Sequence, residues 1–246
     1  MNESFIQDGR EPTKLSRRLG PQRSAAKLEA IARAACQVLA RNGPRLTQVA
    51  DVARAAGIAA GTVYVYVAEK DALVELALLH AARFDLPDPA KPVKFNKARL
   101  RRLTKHALEE RLNWPALEAA CRDHPSTQTL PIVLAETYDL LRREQSLIAL
   151  FDSCAREVKM MEQLFIKGFR RRFFADFESC LTHLAETGYV RRDIDIAAAT
   201  RATIEMLVWM AMRRSGDPDP PRCGEDVARA ASIAFALSGL TNGSHA

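Results

Sequence analysis

The sequence predicts an all-α protein: an N-terminal three-helix head, then a larger helical domain. Three observations carry this. Apolar residues recur at helical spacing from Leu28 almost to the end of the chain. No run alternates Val, Ile or Thr against polar residues as a half-buried strand would. A tight turn at Ala56-Gly57-Ile58 separates two short helical patterns between Leu46 and Leu73, and Gly57 supplies a backbone free to take a positive φ. With 48% hydrophobic and 27% charged residues over 246 positions, the chain is globular and long enough for one large core or two modest ones.

Residues 1–22 hold Gly9, Pro12, Gly20 and Pro21 among charges, and are expected to form a flexible basic arm. From Arg10 to Lys27 there are six Lys or Arg against the single acid Glu11. A first helix is expected over 24–41, with Ser24 as N-cap, an apolar stripe through Leu28, Ile31, Ala35 and Leu39, and a stop at Asn42-Gly43-Pro44. Thr47 is the expected N-cap of the second helix. Beyond the turn the third helix resumes with Val63 and Val67, and a connecting helix runs over 70–84. Three prolines among residues 87–92 cannot continue a helix. The boundaries read from these signals are an arm at 1–22, a head with its connecting helix at 23–84, and a second domain at 85–246.

In the second domain the expected helices are 96–112, 114–122, 129–155, 157–186, 194–214 and 225–240, with a surface connector at 217–221. The last two are rich in small and apolar residues over arcs too wide for one monomer's core, which points to a four-helix interface between two copies.

The net charge of +6 permits an anionic partner without demanding one. Five scattered cysteines, with neither a C-x-x-C pair nor His at ligand spacing, argue for reduced thiols and against a zinc site. Neither a signal sequence nor an apolar run of spanning length is present, so a soluble, cytoplasmic protein without a cofactor is expected. No nucleophile–base spacing or phosphate loop supports an enzyme.

A reading helix in a DNA groove needs small residues in its first turn and hydroxyl or cationic groups along its flanks. Ala60 and Gly61 allow close approach. Thr62 and Tyr66 share one edge of the helix, Ala60 and Tyr64 another. Lys70, at the opening of the next helix, offers an ammonium to a phosphate, and Thr47 and Gln48 do so from the second helix.

The run from Gly57 through Gly61-Thr62-Val63-Tyr64-Val65-Tyr66-Val67, with Lys70 and Leu73 following, resembles the head of the TetR (tetracycline-repressor-like) transcriptional regulators. The family pattern there is A-G-[VI]-S-x-G-[ST]-[LVI]-Y-x-[HY]-F, then K-x-x-L, and the likeness spans about residues 24–75. Trp209-Met210-Ala211-Met212 with Asp217-Pro218-Asp219-Pro220 is similar to the Trp-plus-Met penultimate helix and D-P-x-P connector of some members. The chain departs from the pattern at Ala59, where a capping Ser is usual, at Val67 for Phe, at Ala68-Glu69, which lacks the common Ser before Lys70, and at Val65, where a polar base reader is common. Direct hydrogen-bond readout is therefore poor, leaving thymine-methyl contacts, DNA shape and the arm.

The resemblance implies a homodimeric repressor that binds a palindromic operator in double-stranded DNA and is released by a small-molecule effector. It implies no membrane partner. Residues available to line an effector cavity are His106, Tyr138, Phe151, Cys154, Met161, Phe165, Phe169 and Trp209; each is also an ordinary core or surface residue on its pattern alone. The basic run over 94–111 reads first as solvated surface, and second as a contact to an anionic headgroup or a DNA backbone. The alternatives are a DNA-binding activator or architectural protein without a ligand, and an all-α enzyme or small-molecule carrier with a helical corner at Gly57.

Overall fold

The computed structural model describes residues 20–123, 125–219 and 222–242, and every described element of regular structure is helical. The arm expected over 1–22 lies outside the described residues except for the start of the first helix, and the 217–221 connector is described only to Asp219. No helix among the described residues is long and apolar enough to cross a membrane.

The first helix, α1 (Gly20–Leu46), starts before the expected cap at Ser24 and breaks at Gly43, whose φ of 74° and ψ of 168° leave helical space. Ile31, Ala32, Ala35 and Leu39 form its buried stripe. That stripe packs α1 against two helices at once: α4 (Ala72–Ala81) of the head and α8 (Gln145–Cys154) of the body. Between them stand α2 (Val49–Ala56) and α3 (Ala60–Tyr66).

Thr47 is not the N-cap of α2. It is fully buried, with its hydroxyl donating to the Gly43 carbonyl at 2.7 Å, so the side chain closes the kink after α1. Gln48 holds the cap position in extended backbone, and its amide donates to Asp51 Oδ2 at 3.1 Å. At the other end of α2, Gly57 takes φ 69°, and Ile58 N–H reaches back to the Ala53 carbonyl at 3.0 Å. This is the left-handed helix end that the sequence pattern requires.

The connecting helix α4 is shorter than the expected 70–84 and buried on nearly every side. It ends in a residue that favours neither glycine's freedom nor asparagine's: Arg83 sits at φ 58° while Phe84 N–H bonds the Leu79 carbonyl at 2.9 Å. The Arg83 side chain reaches the body. The helices that follow are α5 (Lys97–Arg111), α6 (Pro115–Arg122) and α7 (Thr129–Arg143).

The single helix expected over 129–155 is two helices. Glu144, at φ −107° and ψ 19°, divides α7 from α8 and turns its carboxylate inward, 1% exposed. There Oε1 accepts from Arg83, from Arg111 at 2.9 Å and from Arg143 at 3.2 Å. A second buried acid, Glu75 on α4, pairs with Arg99 on α5.

The helix expected over 157–186 is continuous but not uniform: α9 (Lys159–Met161), a π-helical stretch Glu162–Arg170, then α10 (Arg171–Glu186). The next repeats this pattern, with α11 (Ile196–Val208) passing into a π-helical turn Trp209–Arg213. Asp195 caps α11, its Oδ1 accepting from Ala198 N–H at 2.7 Å. The last helix, α12 (Glu225–Leu240), has the expected bounds and is tied to α7 by Tyr138 Oη to Glu225 at 2.8 Å and by the two-pronged Arg229–Asp139 pair at 2.7 Å.

Replacing Glu144 with Ala leaves three guanidinium groups converging on an apolar methyl. We expect a loss of about 3 kcal/mol, by the penalty for uncompensated buried charge, measured as a lowered urea midpoint. A loss under about 1 kcal/mol would mean that water serves the arginines as well.

Candidate nucleic-acid interface and effector cavity

Helix α3 starts without a side-chain cap because Ala59, extended at φ −71° and ψ 145°, has no oxygen to offer the first amides. Its inward face is Val63, fully buried, and Tyr66, 6% exposed. Its outward face presents Ala60 and Gly61, then Tyr64 at 54% and Val65 at 61% exposure, with Thr62 half-buried at the edge. Of the expected DNA-facing residues, therefore, Ala60, Gly61, Thr62, Tyr64 and Val65 share one surface and Gln48 is exposed on the neighbouring helix.

Two others do not. Thr47 is spent inside the kink of α1. Tyr66 turns into the head's small core, where its ring sits beside a Val67 smaller than the Phe of the family pattern. Lys70 lies in the turn before α4, not on that helix, and its ammonium donates to the Arg45 carbonyl at 3.2 Å. One of three N–H donors is used there, leaving two for a phosphate.

A contact absent from the sequence reading completes this surface. Residues 93–95, assigned from the proline signals to the second domain, return to the end of α3. Val93 N–H donates to the Tyr66 carbonyl at 2.8 Å, Ala68 N–H to the Val93 carbonyl at 2.9 Å, and Phe95 N–H to Glu69 Oε1 at 2.8 Å. Val67 and Val93 pair as a parallel bridge with both side chains buried, so Ala68 and Lys94 fall on the opposite, exposed face. Lys94 thereby stands beside α3.

In the body, an apolar cavity of about 70 Å³ opens among α7, α8, α11 and the two π-helical stretches. Leu140, Ile148, Phe165, Phe169, Phe173 and Val208 form its apolar wall, and Asp152, Arg170, Glu205 and Arg213 its polar edge. Arg170 bridges Asp152 at 3.3 Å and Glu205 at 3.4 Å. Phe165 and Phe169 are the two expected residues that line the cavity. Phe151 stacks behind Phe165 at 5.1 Å between ring centroids, one layer out. Tyr138 is spent on Glu225, and burial pushes its hydroxyl up to about 12. Cys154 and Met161 are fully buried in the core outside the lining, with burial pushing the Cys154 thiol up to about 12. His106 is exposed and stacks on Phe84 at 4.7 Å, and Trp209 is 38% exposed on the outer side of its turn.

An exposed, small-residue helix set behind a glycine turn on an all-α body is a helix-turn-helix arrangement. Residues 31–77 match the family described as bacterial regulatory proteins, tetR family. Its members are DNA-binding transcription factors, not enzymes. No curated protein matches the sequence. Among solved structures, the ketosteroid transcriptional regulator KstR2 of Mycobacterium tuberculosis is 20% identical, with 89% of this chain and 95% of that one covered and a TM-score of 0.53. A TetR-family member from Streptomyces coelicolor A3 is also 20% identical, over 86% of this chain and 91% of that one, with a TM-score of 0.54. Both likenesses are of fold.

Two outcomes follow from this geometry. Ala59→Ser supplies the missing cap and should stabilise the head by about 1 kcal/mol, seen as a raised denaturation midpoint; no change would mean that the first amides of α3 are already satisfied by water. Burial holds the Asp152 carboxyl above the usual carboxylate range, outweighing the pull of Arg170, Arg213 and Arg156. Its ionised form therefore disfavours the folded state, so Asp152→Asn should melt higher than the wild type at pH 7. The gap should close as pH falls through the raised pKa, where the wild-type group becomes neutral. A variant that melts lower at pH 7 would show the Arg170 pairing to be the larger effect.

Proposed function

We propose that the chain is a homodimeric repressor that binds a palindromic operator and releases it when a small molecule occupies the body. The observation that carries the DNA half is the exposed face of α3, where Gly61 and Ala60 permit close approach and Tyr64, Lys70 and Lys94 flank it with phosphate-seeking groups. The poverty of hydrogen-bonding groups at Ala60, Gly61 and Val65 favours grip over base reading.

Dimerisation rests on exposed apolar surface at the end of the chain. Phe235 is 74% exposed and Val227 61% exposed on α12, with Ala231 and Ala234 exposed between them and Trp209 at the end of α11. Large apolar side chains held in water along one helix need a partner surface. Two copies joined there would present two α3 helices to one duplex, and an operator of two half-sites is the corresponding target. The effector half rests on the apolar cavity, which lies against α8, the body helix on which α1 packs.

Selection from random duplexes should enrich a two-fold symmetric sequence, and no enrichment at low salt would remove the operator assignment. Tyr64→Phe, Lys70→Ala and Lys94→Ala should each weaken binding to all duplexes alike, and the two lysine changes should each reduce the slope of log K against log salt by about 1. A change of base preference with the slope unaltered would reassign that residue from phosphate to base contact.

A further inference from the structure

A second depression lies outside the cavity, at the joint of head and body. It is an open cleft of about 540 Å³ walled by α1, α8 and the π-helical turn Trp209–Arg213, and this volume is in the range of small-molecule sites. Its charged residues are Arg41 from the head, Arg156 after α8, Arg213 from the π turn, and Asp152. Asp152 is already bonded to Arg170, and no hydrogen bond or close ion pair engages Arg41, Arg156 or Arg213 among the described residues. The nearby Glu157 is turned away, its Oε2 accepting from the Arg45 amide at 2.6 Å. Three exposed guanidinium groups thus line a cleft with a single acid, Asp152, which is bonded to Arg170 and also feels Arg156 and Arg213.

Asp152 and Arg213 line both this cleft and the apolar cavity. Both π-helical stretches contribute to the inner space, Phe165, Phe169 and Arg170 from one and Arg213 from the other. π-Helical turns are rare and often accompany functional sites. Ala40, Ala149 and Met212 give the cleft an apolar part of its lining.

We propose that cleft and cavity form one effector site for an amphipathic anion. Arg41, Arg156 and Arg213 hold a phosphate or carboxylate headgroup, and the apolar tail crosses that apolar lining and passes Asp152 and Arg213 into the cavity. Guanidinium groups suit this task because they present paired donors to an oxyanion. The proposal rests on the effector-released reading above and adds the ligand's chemical class and a route for its action. Arg41 belongs to α1, whereas Arg156 and Arg213 belong to the body, so a headgroup bound by all three favours one head position over others. Binding and head position are then coupled reciprocally.

The test uses full-length protein and three probes, octyl phosphate, octanoate and octanol, with inorganic phosphate as a control for charge alone. Calorimetry should show octyl phosphate or octanoate binding at least tenfold tighter than octanol, with the preferred anion identifying the headgroup. The double change Arg156→Gln/Arg213→Gln should abolish that advantage while octanol still binds the folded protein. Val208→Trp, which fills the cavity, should weaken all three octyl compounds and leave inorganic phosphate unaffected. Equal affinities for the anions and octanol, or anion affinities indifferent to the double change, would overturn the headgroup assignment. Release of the selected duplex is read separately. Octanol releasing DNA without any anion advantage would refute this proposal and keep the effector reading. Charge-dependent anion binding that leaves DNA affinity untouched would keep the site and refute the effector reading.

Discussion

One buried carboxylate organises the joint between the two halves of this protein. Glu144 collects Arg83 from the end of α4, Arg111 from the end of α5 and Arg143 from the end of α7. A charge taken out of water must find compensating partners, and three arginines from three helix ends meet that demand only when the helix ends converge. The left-handed conformation of Arg83 belongs to the same arrangement, since its backbone cost is offset only while the side chain reaches the carboxylate. With Glu75 and Arg99 pairing nearer its start, α4 is fastened to the body along its length. The head therefore cannot pivot freely about the connecting helix, and any reorientation must involve α4 and the helices it touches.

Much of the architecture was legible because its signals are local. Gly57 marks the turn by the one conformation it permits, and α12 was bounded correctly by its periodicity. The division of 129–155 left no such mark: the residues around Glu144 contain neither glycine nor proline and keep helical spacing through the break. The break follows from where a carboxylate finds three cations, which is tertiary information. The π-helical stretches are hidden for a related reason, since one added residue per turn shifts a stripe without erasing it.

The site shows the same division. Spacing placed Thr62 and Tyr66 on one edge of α3 but could not say that the head's core would draw in Tyr66. Thr47 looked like a cap because capping and kink-closing use the same hydroxyl. In the body, an aromatic stripe reads alike whether it fills a core or lines a space, so Phe165 and Phe169 were found together with Phe151 and Met161, which only support them. The return of residues 93–95 to α3 was illegible because a proline-rich stretch signals where a helix stops and says nothing of where the chain docks.

That return has a consequence for treating the head as a unit. The amide and carbonyl partners of Val93 are Tyr66 and Ala68, so the hydrogen-bonded boundary of the DNA-binding module lies beyond Phe95, well past the last turn of α4. A chimera that joins this head to another body at the proline-rich break would strip the end of its reading helix of two backbone partners and expose Val67. The natural seam for recombination is instead the start of α5, which keeps the strap with the helix it braces.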